Sequence, residues 1–473
     1  MEEGKKAVAV IGAGKSGISS ASLLLKLHER VILYDGNPKA DRERILNNFE
    51  AGSELELFIG DFPIERDIYT AVISPGVPVD SPLVQKIKDK GIAVIGEMEL
   101  AYRNSKGMLL AVTGTNGKTT TTTLLGEIMK KHAASSGQKV YVVGNIGNPF
   151  SDIALDTDDN SILVSEVSSF QLETMDEFHP RAAAVLNVTP DHLDRHHSME
   201  NYVAAKRDIG KRLREGDSFV LNYDDEYTRS FAEGSRADIV YFSQEAVYGD
   251  SSAGKLVWLK DGAVIDKSGQ KTGVMDGRNR GSIFYGNKEI LPLSGIRILG
   301  RHNVYNVMAA AAMAISVGVP IHTVAESIRE FKGVEHRLEF VRTVDGVDYY
   351  NDSKGTNPDA SIKAVEAMVK KTLLIGGGYD KKIPYDDWIL SFKDRVRMLF
   401  VFGETAGEIE ECCKSHGFHS FKRVSGLKEA VEECHKEALP GEAVLLSPAS
   451  ASWDMFKNYE ERGELFKEYV RAL

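Results

Sequence analysis

Short apolar runs of the kind that form buried β-strands recur along the chain and alternate with segments of helical spacing. The runs occupy residues 7–11, 31–34, 71–73, 93–95, 109–112, 140–143, 162–167, 182–187, 347–350, 372–375, 398–402 and 443–446. After the first run, Ile18, Ala21, Leu24 and Leu25 follow the period of a helix. This alternation predicts α/β domains built on parallel sheets.

The length of the chain, 473 residues, exceeds what a single core usually holds and favours about three domains. Breaks in the pattern near residues 100 and 333 place these domains at 1–100, 101–333 and 334–473. We predict a Rossmann-like N-terminal domain, a central domain with a parallel sheet, and a C-terminal Rossmann-like α/β domain. The sequence VTGTNGKT at residues 112–119 predicts that the central domain is of the P-loop ATPase type.

The stretch LLAVTGTNGKTTTTTLLGEIM at residues 109–129 predicts a strand, a glycine turn and a helix. Its glycines would let backbone N–H groups converge on a phosphate, Lys118 adds a positive charge, and Thr119 offers Mg²⁺ a hydroxyl. Val112 stands where the usual phosphate loop has its first glycine. The alternative is a plain glycine turn beside a surface lysine.

Glycines at positions 12, 14 and 17 follow the first strand in the sequence GAGKSG, and Asp35 ends the second strand. This is the dinucleotide-binding fingerprint, in which a helix N-terminus meets a diphosphate and an acidic residue meets a ribose or base. Taken alone it favours a nicotinamide-dependent dehydrogenase, although any nucleotide diphosphate would fit. The sequence SPGVP at 74–78 is either an ordinary turn or a ligand-binding turn at a strand end.

Three central strands each end in polar residues, the first of them in GNIG at 144–147. Glu166 lies in an otherwise apolar run, where an unpaired carboxylate is costly. Mg²⁺ is its natural partner, and a strand-edge glutamate is the alternative. Downstream lies a dense polar cluster of Asp191, His192, Asp194, His196 and His197. Its spacing matches no zinc signature and is typical of a solvated loop.

Lys206 is the unexpected residue of a helix that Ser198 can cap and that the pattern extends to about residue 214. The face on which it lies is otherwise apolar and is formed by Tyr202, Ile209 and Leu213. A lysine at such a position either extends its amine to water or has a chemical role.

Residues 245–295 lose the regular pattern and predict short peripheral strands without chemistry of their own. The Ala-rich helix that follows carries His302, Asn303 and Asn306 in its first turns. The two asparagine amides, three residues apart, face the same way. They would either contact an adenine edge or only cap the helix.

The C-terminal strands also end in polar loops, with the sequences NDSKGTNP, GGGYDKK and SPASASWDMF. Their candidate ligand-binding side chains are Asp352, Lys354, Thr356, Lys381, Ser447 and Ser452. Open α/β sheets bind ligands at this edge of the sheet.

Composition narrows the class of protein. Hydrophobic residues at 42% and charged residues at 27% are ordinary for a soluble fold, and a net charge of −11 argues against a nucleic-acid-binding surface. Three cysteines, two of them adjacent, form no disulfide framework and favour a reducing, cytoplasmic setting. We expect no signal peptide and no membrane span, because no apolar run approaches ~20 residues.

Together these motifs resemble the Mur ligase family across essentially the whole chain. The shared order is GxGxSG, SPG, TGTNGKT, GNIG, ExSSFQLE, TxDHLDR, AAK, HNxxN, HR, NDSKxTN and LSPAxAS. The first domain and its first loop favour the branch of the family that adds D-glutamate. The resemblance implies an ATP-dependent ligase that joins D-glutamate to UDP-N-acetylmuramoyl-L-alanine through an acyl phosphate and a tetrahedral intermediate, in peptidoglycan precursor synthesis.

Carried over residue by residue, the resemblance implies three sets of ligand contacts. The UDP substrate would meet Gly14, Lys15, Ser16, Gly17, Asp35, Gly76, Asn145 and His192. ATP would meet Gly114, Thr115, Asn116, Gly117, Lys118, Thr119, Thr120, Asn303, Asn306, Arg337 and Asp352. D-glutamate would meet Thr356, Lys381, Ser452 and Tyr459.

The resemblance also implies two Mg²⁺ ions. Thr119 and Glu166 would hold one ion, and His192 would hold the other together with Lys206, carbamylated by CO₂. The implied catalytic residues are Lys118, Glu166, His192, Lys206 and Lys354. The implied enzyme is a cytoplasmic monomer.

Three alternatives stand beside this interpretation. A dehydrogenase would use the first loop for NAD, but it gives Lys118, Glu166 and Lys206 no role. A ligase of the folylpolyglutamate synthetase type would lack the N-terminal nucleotide-binding domain. A non-catalytic scaffold would bind ATP without turnover, although the sequence lacks no catalytic group of the family.

Overall fold

The computed structural model describes residues 6–245, 255–261 and 281–473. The chain divides into two compact units. The first unit comprises Met1–Ser294 and Tyr305–Ile328, and the second comprises Gly295–Val304 and Arg329–Leu473. Of the region predicted to form peripheral strands, residues 246–254 and 262–280 lie outside the described residues.

The first unit begins with a parallel sheet and its helices. The elements are β1 Ala7–Ile11, α1 Lys15–Lys26, β2 Arg30–Asp35, α2 Arg42–Leu46, β3 Leu55–Ile59, β4 Ile68–Ile73, α3 Pro82–Asp89 and β5 Ala93–Gly96. Five described strands pair in the order β3-β2-β1-β4-β5. The order reverses between β1 and β4, which brings the loops after these two strands together, as in nucleotide-binding sheets. The pattern did not predict β3, because this edge strand is largely half-exposed.

The second sheet of the first unit carries the stretch at 109–129. Its elements are α4 Glu97–Arg103, β6 Met108–Thr113, α5 Lys118–Ala133, β7 Val140–Gly144, β8 Ile162–Glu166, α6 Ser169–Leu172, β9 Ala182–Val185, α7 Leu193–His196, α8 Met199–Arg207, β10 Ser218–Asn222, α9 Glu226–Ser230, β11 Asp238–Ser243, β12 Lys255–Asp261, β13 Gly281–Tyr285, β14 Lys288–Pro292, α10 Arg301–Ser316 and α11 Ile321–Glu330. Short 3₁₀ turns lie at Phe150–Asp152, Ala154–Asp156, Asp208–Gly210 and Leu293–Gly295.

Nine described strands pair in the order β14-β13-β12-β11-β10-β9-β6-β8-β7. The strands from β7 to β12 are parallel, whereas β13 and β14 continue the sheet as antiparallel strands. The described part of the irregular region therefore extends the central sheet. The buried strand β6 lies between β8 and β9, which places its loop among the loops that follow those strands.

Helix α8 is shorter than the hydrophobic pattern predicted. It ends at Arg207 and passes into the 3₁₀ turn Asp208–Gly210, instead of continuing to residue 214. Glycine is a weak helix former, and a Cβ on Gly210 would lie 2.7 Å from the ring of Phe219. The predicted inner face is nevertheless buried, because the turn keeps its direction.

The second unit contains β15 Glu339–Val344, β16 Val347–Asn351, α12 Pro358–Ala367, β17 Thr372–Gly376, α13 Asp386–Leu390, β18 Val396–Val401, α14 Ala406–Ser415, β19 Phe421–Arg423, α15 Leu427–Glu437, β20 Ala443–Leu446 and α16 Tyr459–Arg471. Its described strands pair in the order β15-β16-β20-β17-β18-β19, and only β15 runs antiparallel to its neighbour. Because β16 and β17 flank β20, the three polar loops that follow these strands meet at one edge.

The strands that the pattern marked as apolar form much of the cores of the sheets, together with the buried strands β10 and β11, which the pattern did not mark. Val112, Val164 and Ala184 in the first unit, and Leu374 and Leu445 in the second, are inaccessible to solvent. The cysteines Cys412, Cys413 and Cys434 are free thiols. Over the described ranges, no helix is both long enough and apolar enough to cross a membrane. The predicted α/β architecture is confirmed.

Candidate functional site

The glycine turn after β6 has the geometry of a phosphate-binding loop. Gly117 is the N-cap of α5 and has a φ of +85°, in the left-handed region that favours glycine. A Cβ at this position would lie 2.1 Å from Oδ1 of Asn306, so the side chain of Asn306 also requires a glycine here. Helix α5 begins at Lys118 and directs its N-terminal N–H groups towards the turn.

Two lysines converge on this turn from different elements. Lys118 Nζ donates to the carbonyl oxygens of Gly114 at 2.9 Å and Thr115 at 3.0 Å. Lys206 Nζ, from α8, donates to the same oxygen of Gly114 at 2.8 Å. The main chain of the turn therefore accepts hydrogen bonds from two lysine side chains, and the charge of Lys118 favours anionic ligands there.

Lys206 is 1% exposed, so the alternative in which its amine reaches water is wrong. Burial, with a further contribution from the charge of Lys118, lowers the pKa of Lys206 to about 6. The amine also lies 4.7 Å from the centre of the Tyr202 ring. Much of this lysine is therefore a neutral amine at neutral pH, which is the form that reacts with CO₂.

The turn is held in place by residues for which the sequence had suggested no such role. Asn187 accepts from the N–H of Asn116 at 2.8 Å and donates back to its carbonyl oxygen at 3.1 Å. The hydroxyl of Thr115 lies 3.0 Å from that of Tyr202. Asn187 lies two residues after the end of β9, and Tyr202 lies one helical turn before Lys206. These two positions, a strand end and the inward face of α8, were the sequence signals that could have identified both residues.

Glu166, at the end of β8, has one satisfied and one unsatisfied oxygen. The side chain is 2% exposed, and its Oε1 accepts from Asn145 Nδ2 at 2.8 Å. Its Oε2 is buried and has no hydrogen-bond partner within the described part of the chain. A buried, unpaired carboxylate oxygen is costly, and a hard cation such as Mg²⁺ would satisfy it. Glu166 therefore fits a metal ligand, and the strand-edge alternative is wrong because the side chain is enclosed.

The polar cluster after β9 divides into an exposed and a buried part. His192 has a φ of +51° and is half exposed, and its ring centre lies 5.0 Å from that of Phe170 with the two rings tilted by 59°. His196 is buried instead, with its ring nitrogen 3.0 Å from the hydroxyl of Ser169, and burial lowers its pKa. The expectation of a solvated loop is therefore correct for His192 and wrong for His196, which packs between Phe170 and Tyr202.

The GAGKSG loop after β1 packs tightly against the start of α1. Gly12 has a φ of +98°, and a Cβ on Gly17 would lie 1.7 Å from the carbonyl oxygen of Gly12. The hydroxyl of Ser74, in the SPGVP turn after β4, donates to the same oxygen at 3.2 Å. The glycine spacing thus serves a close approach of helix and loop, as the fingerprint requires.

The structure also brings other predicted substrate-binding residues to this loop. The carboxylate of Asp35 accepts from the N–H of Ala13 at 3.0 Å. Lys15 Nζ donates to the carbonyl oxygen of Gly147 at 2.9 Å, which joins the GAGKSG and GNIG loops. A Cβ on Gly76 would meet open space, so this turn leaves room beside the loop.

The two asparagines of α10 are both buried, but their surroundings differ. Asn303 Nδ2 donates to the carbonyl oxygen of Leu299, four residues earlier in the chain, at 2.6 Å. Asn306 lies against Gly117 of the phosphate loop. Contact of either amide with adenine stays a prediction.

In the second unit, Asp352 lies buried where β16 ends. Its carboxylate accepts from the Ser447 hydroxyl at 2.7 Å and from the N–H of Leu338 at 3.2 Å. Burial raises the pKa of Asp352 to about 7, against the opposing effect of the Ser447 hydrogen bond and of Arg337. The loops after β16 and β20 are joined by this carboxylate.

The residues predicted to bind D-glutamate lie at the same edge. Lys381 Nζ donates to the carbonyl oxygen of Thr356 at 3.2 Å, and burial together with Arg462 lowers its pKa. Lys354 Nζ lies 5.3 Å from the centre of the Tyr459 ring. Ser452 is 2% exposed, so its side chain is less accessible than the prediction required.

Arg462 of α16 organises these loops and was missed by the sequence interpretation. It is fully buried and donates to the carbonyl oxygens of Ser353 at 2.9 Å, Ser450 at 3.2 Å and Ala451 at 3.2 Å. Burial lowers its pKa to about 10. Its position one turn before Phe466, on the inner face of α16, was a signal of the same kind as that of Lys206.

Comparison with protein families assigns most of the chain to three related domains. Residues 6–96 match the Mur ligase MurD-like N-terminal domain, residues 112–314 the Mur ligase middle domain, and residues 336–450 the Mur ligase glutamate ligase domain. The domain boundaries proposed at residues 100 and 333 stay predictions.

The chain is similar over its full length to curated proteins named UDP-N-acetylmuramoylalanine–D-glutamate ligase. The protein of Lachnospira eligens is 46% identical over 100% of both chains, and that of Clostridioides difficile is 41% identical over 100% of this chain and 99% of its own. Among solved structures, the UDP-N-acetylmuramate-alanine ligase of Thermotoga maritima has a TM-score of 0.60 at 18% identity, covering 98% of this chain and 99% of its own. A pseudomurein peptide ligase of Methanothermus fervidus has a TM-score of 0.54 at 18% identity, with 99% of each chain covered. The structural likenesses show the fold.

Proposed function

Because this chain belongs to the Mur ligase family, we propose that it is an ATP-dependent ligase that joins D-glutamate to UDP-N-acetylmuramoyl-L-alanine in peptidoglycan precursor synthesis. The observation that carries the proposal is 46% identity over the full length of both chains to a ligase of that name. The convergence of Lys118 and Lys206 on one carbonyl oxygen supports it, since the dehydrogenase alternative gives neither lysine a role.

The chemistry requires activation of a carboxylate, which is a poor electrophile at neutral pH. The carboxylate of the UDP substrate attacks the γ-phosphorus of ATP, forming an acyl phosphate and ADP. The amine of D-glutamate then attacks the acyl carbon and loses a proton, and the tetrahedral intermediate expels phosphate. Lys118 and the N–H groups at the start of α5 would bind the phosphate oxygens on which negative charge accumulates.

Mg²⁺, when bound, would offset charge on the phosphate oxygens. Thr119 and Glu166 would hold one ion, and the orphaned oxygen of Glu166 supports this assignment. His192 and Lys206 would hold a second ion if Lys206 carries a carbamate. A neutral Lys206 amine can add CO₂ and release a proton, which converts an uncharged amine into an anionic carbamate with the oxygen ligands that Mg²⁺ prefers.

The remaining residues would position the two substrates. Lys15 and Asp35, with the loops they join, would bind the UDP portion. Thr356 and Lys381 would bind one carboxylate of D-glutamate, and Ser452 with Tyr459 the other. We further propose a cytoplasmic monomer. Arg462 is a positioning residue in this scheme, because its contacts are with the loops that carry these side chains.

One coupled assay tests the proposal. Phosphate release from ATP is measured with UDP-N-acetylmuramoyl-L-alanine and either D- or L-glutamate. We expect turnover that requires ATP, the UDP substrate and D-glutamate, with L-glutamate much less effective. Turnover with neither enantiomer, or ATP binding without phosphate release, would overturn the proposal in favour of a scaffold.

A further inference from the structure

We propose that Asp386, Cys412 and His416 form a binding site for a borderline-soft divalent cation such as Zn²⁺. One ligand atom of each, a carboxylate oxygen, the thiol sulfur and a ring nitrogen, lies within 4.8 Å of the others. None of these residues is assigned a part in the ligase reaction, so the proposal is independent of that function.

Cys412 and His416 are placed on one face by the end of α14. They are four residues apart, and the N–H of His416 donates to the carbonyl oxygen of Cys412 at 3.2 Å. Gly417 follows with a φ of +72°, and the N–H of Phe418 donates to the carbonyl oxygen of Cys413 at 2.8 Å. This is a glycine-terminated helix end, and it fixes the backbone from which the imidazole extends.

Asp386 is presented to this face by the first turn of α13. The helix is anchored by Trp388, which is fully buried and donates to the Ser361 hydroxyl at 2.8 Å. The hydroxyl of Tyr385 lies 2.8 Å from that of Ser450. His416 Nε2 lies 2.8 Å from Asp386 Oδ1, so the two helices already meet through this pair.

The set of ligand atoms selects the class of metal. Sulfur, imidazole nitrogen and carboxylate oxygen together are typical ligands of Zn²⁺, whereas Mg²⁺ prefers oxygen alone. Sulfur and nitrogen ligands of a tetrahedral zinc ion lie about 3.5 Å apart, given the usual bond lengths. The side chains therefore need only small rotations to close on an ion. Glu408, one turn before Cys412, or a water molecule would complete the coordination.

Charge and exposure are also suitable. Cys412 is partly exposed, and Asp386 and His416 are exposed, so an ion reaches the site from solvent. Burial, together with the carboxylates of Asp386 and Glu408, raises the pKa of Cys412 to about 11. The carboxylates of Asp386 and Glu408 therefore place negative charge near the thiol, which favours a cation. A bound cation would displace the thiol proton, as metal binding to cysteine generally does.

Co²⁺ is the probe for the test, because its bond to a thiolate gives a charge-transfer band that oxygen-bound cobalt elsewhere on the protein does not give. The full-length protein, reduced and free of metal, is titrated with Co²⁺ in the presence of excess Mg²⁺. We expect one equivalent of cobalt to produce this band and added Zn²⁺ to abolish it. No band at a clear excess of Co²⁺ would overturn the proposal.

Variants identify the ligands. Cys412→Ser should abolish the band. Loss of a group that only hydrogen-bonds to a metal ligand weakens metal binding by roughly 10–100-fold. His416→Ala removes a ligand itself and should therefore weaken cobalt binding by more than that. His419→Ala is the matched control, because this exposed histidine lies three residues beyond the set. An undiminished band in Cys412→Ser, with the fold intact by circular dichroism, would assign the cobalt to another thiol and overturn the proposal.

Zn²⁺ should also raise the Tm of the protein and of His419→Ala, but not that of Cys412→Ser. Equal shifts in all three proteins would contradict the site.

Discussion

Lys118 and Lys206 donate to the same carbonyl oxygen, yet their surroundings give them different chemistry. Lys118 begins helix α5 at the glycine turn, where its ammonium group would meet the charge of a bound phosphate. Lys206 is enclosed by α8 and the loop, and its pKa is lowered to about 6. The first lysine is suited to bind phosphate, and the second is suited to react as a neutral amine.

Lys118→Ala should abolish ligase turnover without unfolding the protein. Removing a preorganised cation commonly costs about 3–4 kcal/mol in the transition state, which corresponds to a rate loss of roughly 10²–10³. The measurement is phosphate release under saturating substrates, with Tm as the test of folding. Lys130→Ala is the control, because Lys130 lies on the same helix and pairs with Glu127 at the surface. Near-parental turnover in Lys118→Ala would place the ATP site elsewhere.

Lys206→Ala should lose most activity and regain part of it when acetate is added. Acetate would replace the carbamate, whereas Lys206→Arg should not respond, because its guanidinium fills the space with the opposite charge. The direct measurement is the intact mass of the peptide containing Lys206 under bicarbonate. A fully active Lys206→Ala variant would remove the carbamate from the mechanism.

Formation of the carbamate on Lys206 should also depend on pH. The amine of Lys206 loses its proton as pH rises through its lowered pKa of about 6, instead of near 10.5. Bicarbonate should therefore stimulate activity at pH 8 and lose this effect progressively below pH 6, where the amine is protonated. Stimulation that begins only above pH 9 would indicate an ordinary exposed amine.

At the scale of elements, α4 joins the first sheet to the central one through buried carboxylates. Glu99 is fully buried and accepts from three successive N–H groups, those of Asp176 at 3.0 Å, Glu177 at 2.8 Å and Phe178 at 3.2 Å. Arg103, one turn later, donates to the same carboxylate at 2.7 Å. Glu97 similarly accepts from the N–H of Ser151 at 2.7 Å. These bonds fix the segment that leads to β9.

Glu99→Ala should lower the free energy of unfolding by about 3 kcal/mol, because it leaves buried donors without an acceptor. Urea denaturation of the full-length protein measures the change. Glu127→Ala removes an exposed helical ion pair and should stay within about 0.5 kcal/mol of the parent. Equal effects of the two substitutions would show that the Glu99 contacts contribute little.

At the scale of the whole molecule, the nucleotide that the first sheet binds distinguishes the ligase interpretation from the dehydrogenase interpretation. UDP-N-acetylmuramoyl-L-alanine should raise the Tm more than NAD or NADH does at the same concentration, since a ligand stabilises the state that binds it. Differential scanning fluorimetry provides the comparison. A larger shift with NADH, accompanied by hydride transfer to a hydroxy acid, would reverse the assignment of the first loop.

The sequence was sufficient to predict those strands and helices whose formation depends on interactions between residues close in the chain. The strands at 7–11 and 443–446 agree with β1 and β20, and the turn at Gly117 with the helix from Lys118 follows from glycine and chain geometry alone. Periodicity also identified Lys206 as an inward residue. Edge strands such as β3, β15 and β19 were not predicted, because half-exposed or short strands lack a continuous apolar run.

By itself, the sequence therefore determined the α/β class, the glycine turn before α5 and the faces that turn inward, because these depend on residues a few positions apart. Only the tertiary structure decided which residues the side chains on those faces contact. Hydrogen bonds join Lys206 to Gly114, Asn187 to Asn116, and Arg462 to Ser353. The partners in these pairs lie 92, 71 and 109 positions apart in the sequence. Such partners are set by the order in which strands pair and helices pack. A local pattern gives the direction of a side chain but not the group that lies opposite it.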